Sequence, residues 1–211
     1  MEQVEQVGVN PLTAHLALTK YVDLKPGDWV GQNLGNSAVG QYVIALAKRA
    51  GVKTLSVVRR EEAAEQLRAA GADLVVVDGN DLAERIKAAL GQQQLKLVLD
   101  GTGDATTGAL AQALEFEGTV VSYSSVTGQP ARVGLADTIY RQVAVRGLWI
   151  PNWLPNAPAG GDREHLRRAG RTVADGTLQG RVEATYPVAE YRKALDHARQ
   201  PGRSGKILFR P

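Results

Sequence analysis

Apolar positions along this chain gather into short continuous runs. Between the runs they recur every three or four residues. Asp28–Asn33 is the first run, entered through the Pro26-Gly27 turn, and is read as a strand. Val39, Tyr42, Val43, Leu46, Ala47 and Ala50 then share one helical face. Gly51 stands where a helix-terminating glycine belongs. The alternation continues with a strand at Thr54–Val58, a helix at Glu61–Ala70 stopped by Gly71, and a strand at Leu74–Val77. Leu82, Ile86, Ala89 and Leu90 mark a helix closed by Gly91, and Leu95–Leu99 a strand. Thr106–Glu117 carries Leu110, Ala113 and Leu114 on one helical face, and Thr119–Tyr123 and Ala144–Ile150 are the last two strands. The strand runs do not alternate apolar with polar, which is what strands covered on both faces require. The predicted class is α/β, an open, parallel, doubly wound sheet of six strands.

The pattern changes after Ile150. Pro151, Pro155, Pro158 and Gly160-Gly161 mark a loop-rich stretch, and Asp162–Ala174 a charged amphipathic helix. Arg181–Val188, Ala189–Gln200 and Lys206–Phe209 read as strand, helix and strand. This tail is expected to lie outside the main sheet, dividing the chain into 1–180 and 181–211.

Composition narrows the partners. The 211 residues are 44% hydrophobic and 22% charged, ordinary for a globular chain. The net charge is +3 and the basic residues are dispersed, so no nucleic-acid stripe is expected. The absence of cysteine excludes disulfides and thiolate metal sites within the chain. No run approaches the ~18 apolar residues of a membrane span. The start, Met1 to Glu5, is polar and acidic, unlike a secretory signal, and the expected compartment is the cytoplasm. His15, His165 and His197 lack metal-ligand spacing and are read as surface or helix histidines; no metal is expected.

The first strand-to-helix turn carries the candidate chemistry. A dinucleotide fingerprint needs small residues for the tight turn, for approach to a pyrophosphate, and for helix–strand packing. Gly35, Ser37 and Gly40 occupy those places. The helix that follows offers its N–H groups and positive dipole end to an anion. At the end of the second strand, an NAD site places an acid for the ribose 2′-hydroxyl. Here stand Arg59 and Arg60, which suit a 2′-phosphate. NADPH is therefore the expected cofactor. Three other signals are set aside. Tyr21-x-x-x-Lys25 precedes the first strand instead of lying on a helix. Ser37 lacks the second glycine of a hydrolase elbow. Asp100 and Asp104 are read as a turn with a helix cap, not as an acid–base pair.

Val9 to Ala14, Asp23 to Val30, Gln32-Asn33 and Asn36 to Gln41 together resemble the zinc-independent medium-chain reductases. The branch most like it is the mitochondrial-type trans-2-enoyl thioester reductases. Val57 to Arg59, Gly118 to Tyr123, Gly147 to Trp149 and Ser204 to Leu208 extend the likeness over nearly the whole chain. The resemblance implies a Rossmann domain with a short carboxy-terminal segment from the catalytic, GroES-like domain. It implies cofactor contacts at Asn10, Asn36, Ser37, Ala38 and Val39, and at Arg59, Arg60 and Glu61. Further contacts are implied at Tyr123, Ser124, Ser125 and Val126, at Leu148, Trp149, Ile150 and Pro151, and at Lys206. Trp149 and Tyr123 have an alternative reading as buried aromatic anchors. His15, Ser124, Ser125 and Gly31 depart from the pattern, and Gly31 is expected to weaken a central strand. The amino-terminal substrate domain, with the proton-donating tyrosine, would precede Asn10, where nine residues stand, so no catalytic residue is assigned.

The implied activity is hydride transfer to the C=C bond of a 2-enoyl thioester of CoA or acyl-carrier protein. The alternatives are a zinc-independent quinone or enone reductase, and a stand-alone NADPH-binding dimerisation module without turnover. Ala144–Ile150 would be an apolar edge strand, and a homodimer through it is expected.

Overall fold

The computed structural model describes residues 8–158, 160–200 and 205–210. The polar start at Met1 to Glu5 and Ser204 lie outside the described residues. Six strands form one sheet in the order β3-β2-β1-β4-β5-β6: β1 (Trp29–Gln32), β2 (Lys53–Val58), β3 (Leu74–Val77), β4 (Leu95–Asp100), β5 (Leu114–Ser122) and β6 (Ala144–Gly147). Every pairing is parallel. The order reverses at β1, whose two neighbours are β2 and β4. A doubly wound sheet opens a crevice at the carboxyl ends of the strands flanking such a reversal.

Helices cover both faces, as the continuous apolar strands require. On one side α1 (Val9–Thr19), α2 (Ala38–Arg49) and α8 (Gly161–Ala174) pack together. Leu12, Leu16, Val43 and Ala47 meet Leu97 and Leu99 of β4 there. On the other, α4 (Leu82–Leu90) and α5 (Ala105–Ala111) pack against Val98 and Val120. Leu97, Val98 and Leu99 thus alternate between the two cores with the strand period of two. α3 (Glu61–Ala69) completes the β2–β3 edge through Ala64 and Leu67.

The structure departs from the sequence reading in four places. α1 was not anticipated. Seven of its eleven residues are buried, so it shows no polar face from which a period could be read. The helix expected to Glu117 stops at Ala111. Leu114 pairs with Leu95 and Thr119 with Leu97, so the register shifts across 115–118 as a bulge within β5. Glu117 adopts a left-handed φ of 63° in that bulge. The apolar spacing of Leu110, Ala113 and Leu114 reports burial, not a continued helix. The last strand ends at Gly147, and α7 (Ile150–Trp153) follows with Pro151 in its first turn. α6 (Leu135–Tyr140) was also not read from the sequence.

Gly31 does not leave a gap. A Cβ there would sit 2.5 Å from Leu95 Cδ1 and 3.1 Å from Leu110 Cδ2, so larger neighbours already fill the space. In the tail, β7 (Val182–Pro187) and β8 (Lys206–Arg210) form their own two-stranded parallel sheet, joined through α9 (Tyr191–Arg199). Among the described residues no helix is long and apolar enough to cross a membrane.

Candidate functional site

The turn after β1 lies at the reversal point and is built by close backbone approach. A Cβ on Gly40 would lie 2.4 Å from the Gly35 carbonyl oxygen and 2.7 Å from its Cα. A Cβ on Gly35 would lie 2.9 Å from both Ser56 Cβ and Leu67 Cδ1. Only glycine at both positions lets α2 start this near the strand. Leu34 enters the turn at a left-handed φ of 54°. Ser37 caps α2, its Oγ accepting from the Gly40 N–H at 3.1 Å. Gln41 donates to the Asn36 carbonyl at 3.0 Å and braces the loop from behind. The serine in the fingerprint's central place is therefore the helix cap. The first N–H groups of α2 open onto the crevice as an anion site.

The floor beside this loop is a buried polar hub. Asp100, fully buried at the end of β4, accepts from Asn33 Nδ2 (2.8 Å), Gly103 N (3.0 Å), Thr107 Oγ1 (2.9 Å) and Ser122 Oγ (2.8 Å). Asn33 Oδ1 accepts in turn from Gly101 N at 2.7 Å. The ends of β1, β4 and β5 are thereby tied together across the reversal. Asp104 caps α5 in a capping box with Thr107, as read from the sequence. No signal in the sequence singled out Asn33 and Asp100 as partners, because their contact spans strands far apart in the chain.

Three cavities adjoin along the carboxyl ends of the strands. The first, about 310 Å³, is lined by Asn36, Ser37, Ala38, Arg59, Arg181 and Lys206, with others. The second, about 230 Å³, takes in Asn10, Val39, Tyr123 and Ser124 and shares Ser37, Ala38 and Lys206 with the first. The third, about 60 Å³, lies on the β2 side and includes Asn36, Arg59, Thr102 and Val126. These cavities bring together ten of the residues that the resemblance implies.

The remaining implied residues stand apart from them. Arg60 is the exposed residue before α3. Glu61 pairs with Arg68 at 2.6 Å. Ser125 and Pro151 are exposed. Leu148 and Ile150 are buried in the core with α1 and α2, so their side chains serve packing. Trp149 is 71% exposed, which overturns its reading as a buried anchor; Trp153 fills that role.

Tyr123 stands between the two readings. Its ring lies against the Gly101 backbone, where a Cβ would meet the hydroxyl at 2.7 Å. Its hydroxyl oxygen is buried and makes no hydrogen bond of good geometry among the described residues. Burial pushes its pKa up to about 12, against the nearby Ser37 hydroxyl and with the Asp100 charge. Such an orphaned buried donor fits a site that a polar ligand completes.

Outside the crevice, Tyr21 donates to the Gly147 carbonyl at 2.8 Å and Lys25 pairs with Asp23, so they form no catalytic pair. His15 and His165 do meet, Nε2 to Nδ1 at 2.9 Å, although the sequence separates them widely.

A glycine cradle at the amino end of the helix after β1, in a sheet ordered 3-2-1-4-5-6, defines a dinucleotide-binding Rossmann domain. The chain belongs to the zinc-binding dehydrogenase family, whose profile matches residues 38–159. It is 34% identical over 203 residues to the mitochondrial enoyl-[acyl-carrier-protein] reductase of Arabidopsis thaliana, covering 94% of this chain and 54% of that protein. The solved heterodimer of the mitochondrial 2-enoyl thioester reductases Etr1p and Etr2p from Candida tropicalis superposes with a TM-score of 0.87 at 26% identity. That match covers all of this chain and 61% of the other. A complex of Etr1p with NADP and crotonyl-CoA matches equally, with a TM-score of 0.87. The chain thus spans somewhat over half the length of the curated relatives it matches. The family's description names zinc; this chain has no cysteine, and no three His, Asp or Glu gather as a ligand set among the described residues.

Proposed function

We propose that this chain is the NADPH-binding part of a zinc-independent reductase acting on the C=C bond of 2-enoyl thioesters. The observation that carries the reading is the Gly35–Gly40 cradle with Arg59 beside it in one cavity. The amino end of α2 would hold the pyrophosphate, and Arg59 the 2′-phosphate. Asn10, Tyr123, Ser124 and Lys206 line the cavity on the other side of the loop, where the nicotinamide half would lie. Hydride for the β-carbon of the alkene is the chemistry that NADPH bound there supplies. The chain's own part is to fix the cofactor's position against the substrate. The family's proton-donating tyrosine has no counterpart assigned here.

The relatives' names and the NADP–crotonyl-CoA complex of Etr1p support this substrate class. We assign residues 1–180 to the cofactor domain and 181–211 to a segment of the substrate domain, a division supported by the separate β7–β8 sheet. A homodimer through β6 is proposed on the same footing. Val145 lies half exposed on that edge strand, and the exposed Phe116 and Tyr140 belong to segments joined to it. The compartment we favour is the cytoplasm; the relatives' names are mitochondrial.

The test has two arms. Fluorescence titration of the chain with NADPH and NADH should show NADPH bound more tightly, by about thirtyfold for one charge-assisted bond of about 2 kcal/mol. Equal affinities would refute the NADPH assignment. NADPH oxidation is then followed with crotonyl-CoA and, separately, with a quinone. Turnover of the quinone alone would move the substrate class to quinones. Binding without either turnover would leave a cofactor module.

A further inference from the structure

Arg181 lies just before β7, in the tail, and neither motif nor resemblance pointed to it. Its backbone is held in place. The Arg181 carbonyl accepts from the Lys206 N–H at 2.7 Å, which ties the entry of β7 to that of β8. Gly205 packs so closely that a Cβ there would lie 2.9 Å from the same carbonyl and 2.7 Å from the Glu183 nitrogen. Arg181 is exposed and borders the cavity that Arg59 and the amino end of α2 also line.

Two features make this cavity an anion site with room for more than one cation. Arg59, Arg181 and Lys206 all border it, and no aspartate or glutamate does. Among the described residues Arg181 has no ion pair, whereas Arg49 is taken by Asp175 and Arg68 by Glu61.

The lining also bears on which phosphate Arg181 meets. Lys206 is shared with the cavity of Asn10 and Tyr123, and Arg59 with the small cavity on the β2 side. The cavity of Arg181 takes in the amino end of α2, where the pyrophosphate would lie, and also Gln41, Tyr42 and Arg59. The group expected beside a strand-end arginine is the ribose 2′-phosphate, and Arg181 borders the same cavity as that arginine. A phosphate with two negative charges and three acceptor oxygens takes more than one guanidinium.

We propose that Arg181 is a specificity-determining residue, the second cation on the 2′-phosphate of NADPH, opposite Arg59. This rests on the cofactor reading above. It makes cofactor choice a joint property of the β2 end and the tail segment.

The experiment is titration of the full chain and of R181Q, R181K and R59Q with NADPH and with NADH. R181Q should weaken NADPH about tenfold, the effect of one partly screened charge-assisted bond. It should leave NADH unchanged, R181K should recover part of the loss, and the difference should shrink as salt is raised. The substitution keeps the backbone bond to Lys206, so the fold is retained. Unchanged NADPH affinity in R181Q, with R59Q still impaired, would overturn the inference and spare the cofactor reading. Equal loss of NADPH and NADH would overturn it too, placing Arg181 on the pyrophosphate. If the unaltered chain bound neither nucleotide, both would fall, and that outcome is visible before any variant is made.

Discussion

Among single residues, Asp100 bears the most on whether the crevice exists. Its two carboxyl oxygens take five donors, from Asn33, Thr102, Gly103, Thr107 and Ser122, and the residue is fully buried. Asp100→Asn keeps the volume but replaces one accepting oxygen with a donor. At least one of the surrounding donors is then left facing another donor. A buried donor without a partner costs about 1–3 kcal/mol, and a broken buried charged network about 3–5 kcal/mol. We expect D100N to lose roughly 3 kcal/mol, an unfolding midpoint lower by about 6–12 °C in a chain of this size. Differential scanning calorimetry measures it. A drop under about 2 °C would mean that the hub relaxes and does not hold the three strand ends.

The elements of the sheet were readable because each long apolar run is buried on both faces. The seven elements read from Asp28 to Leu99, four strands and three helices, all recur within one or two residues of their expected bounds. What could not be read had physical reasons. α1 is buried on nearly all sides, so no period distinguishes it from a loop with apolar residues. Residues 112–117 carry a helical spacing, but Leu114 is taken by a strand partner, Leu95, in a pairing that local sequence does not encode. In the site, Gly35, Ser37, Gly40 and Arg59 were legible because the fingerprint depends on local turn geometry. The place of Arg181 in the Arg59 cavity and the Asn33–Asp100 pair were not, since each is set by contacts across a long separation in sequence. β6 gives the prediction at this scale. It is a short edge strand with Val145 half exposed. A charge at such a position is how natural edges resist pairing. Val145→Lys should convert the proposed dimer to monomer in sedimentation velocity at micromolar concentration, with the thermal midpoint of the subunit little changed. A parent chain that is already monomeric there would refute the dimer.

Across the whole molecule, the contact between α1 and α8 joins the start of the described chain to its second half, and it is sensitive to acid. His15 on α1 meets His165 on α8 at 2.9 Å, and Trp153 packs edge-on against His165. Partial burial, chiefly, lowers the His15 pKa from 6.5 to about 4; the charges of His165 and Arg168 act in the same direction and Glu164 opposes them. The sign follows from proton counts. Between pH 6.5 and about 4 the unfolded chain binds a proton at His15 and the folded chain does not. Stability therefore rises with pH across that window. The contribution is complete above pH 6.5 and is lost as pH falls toward 4. Because His15 is only half buried, screening reduces the effect to about 1 kcal/mol, or about 2–4 °C in midpoint. Comparison of midpoints at pH 7 and pH 4.5 for the parent and for His15→Phe isolates this term. Carboxylates elsewhere titrate in both chains and cancel in the difference. The parent should lose more than H15F by those few degrees. Parallel losses would show that His15 takes up its proton without cost, with α8 moving away from α1 to admit it.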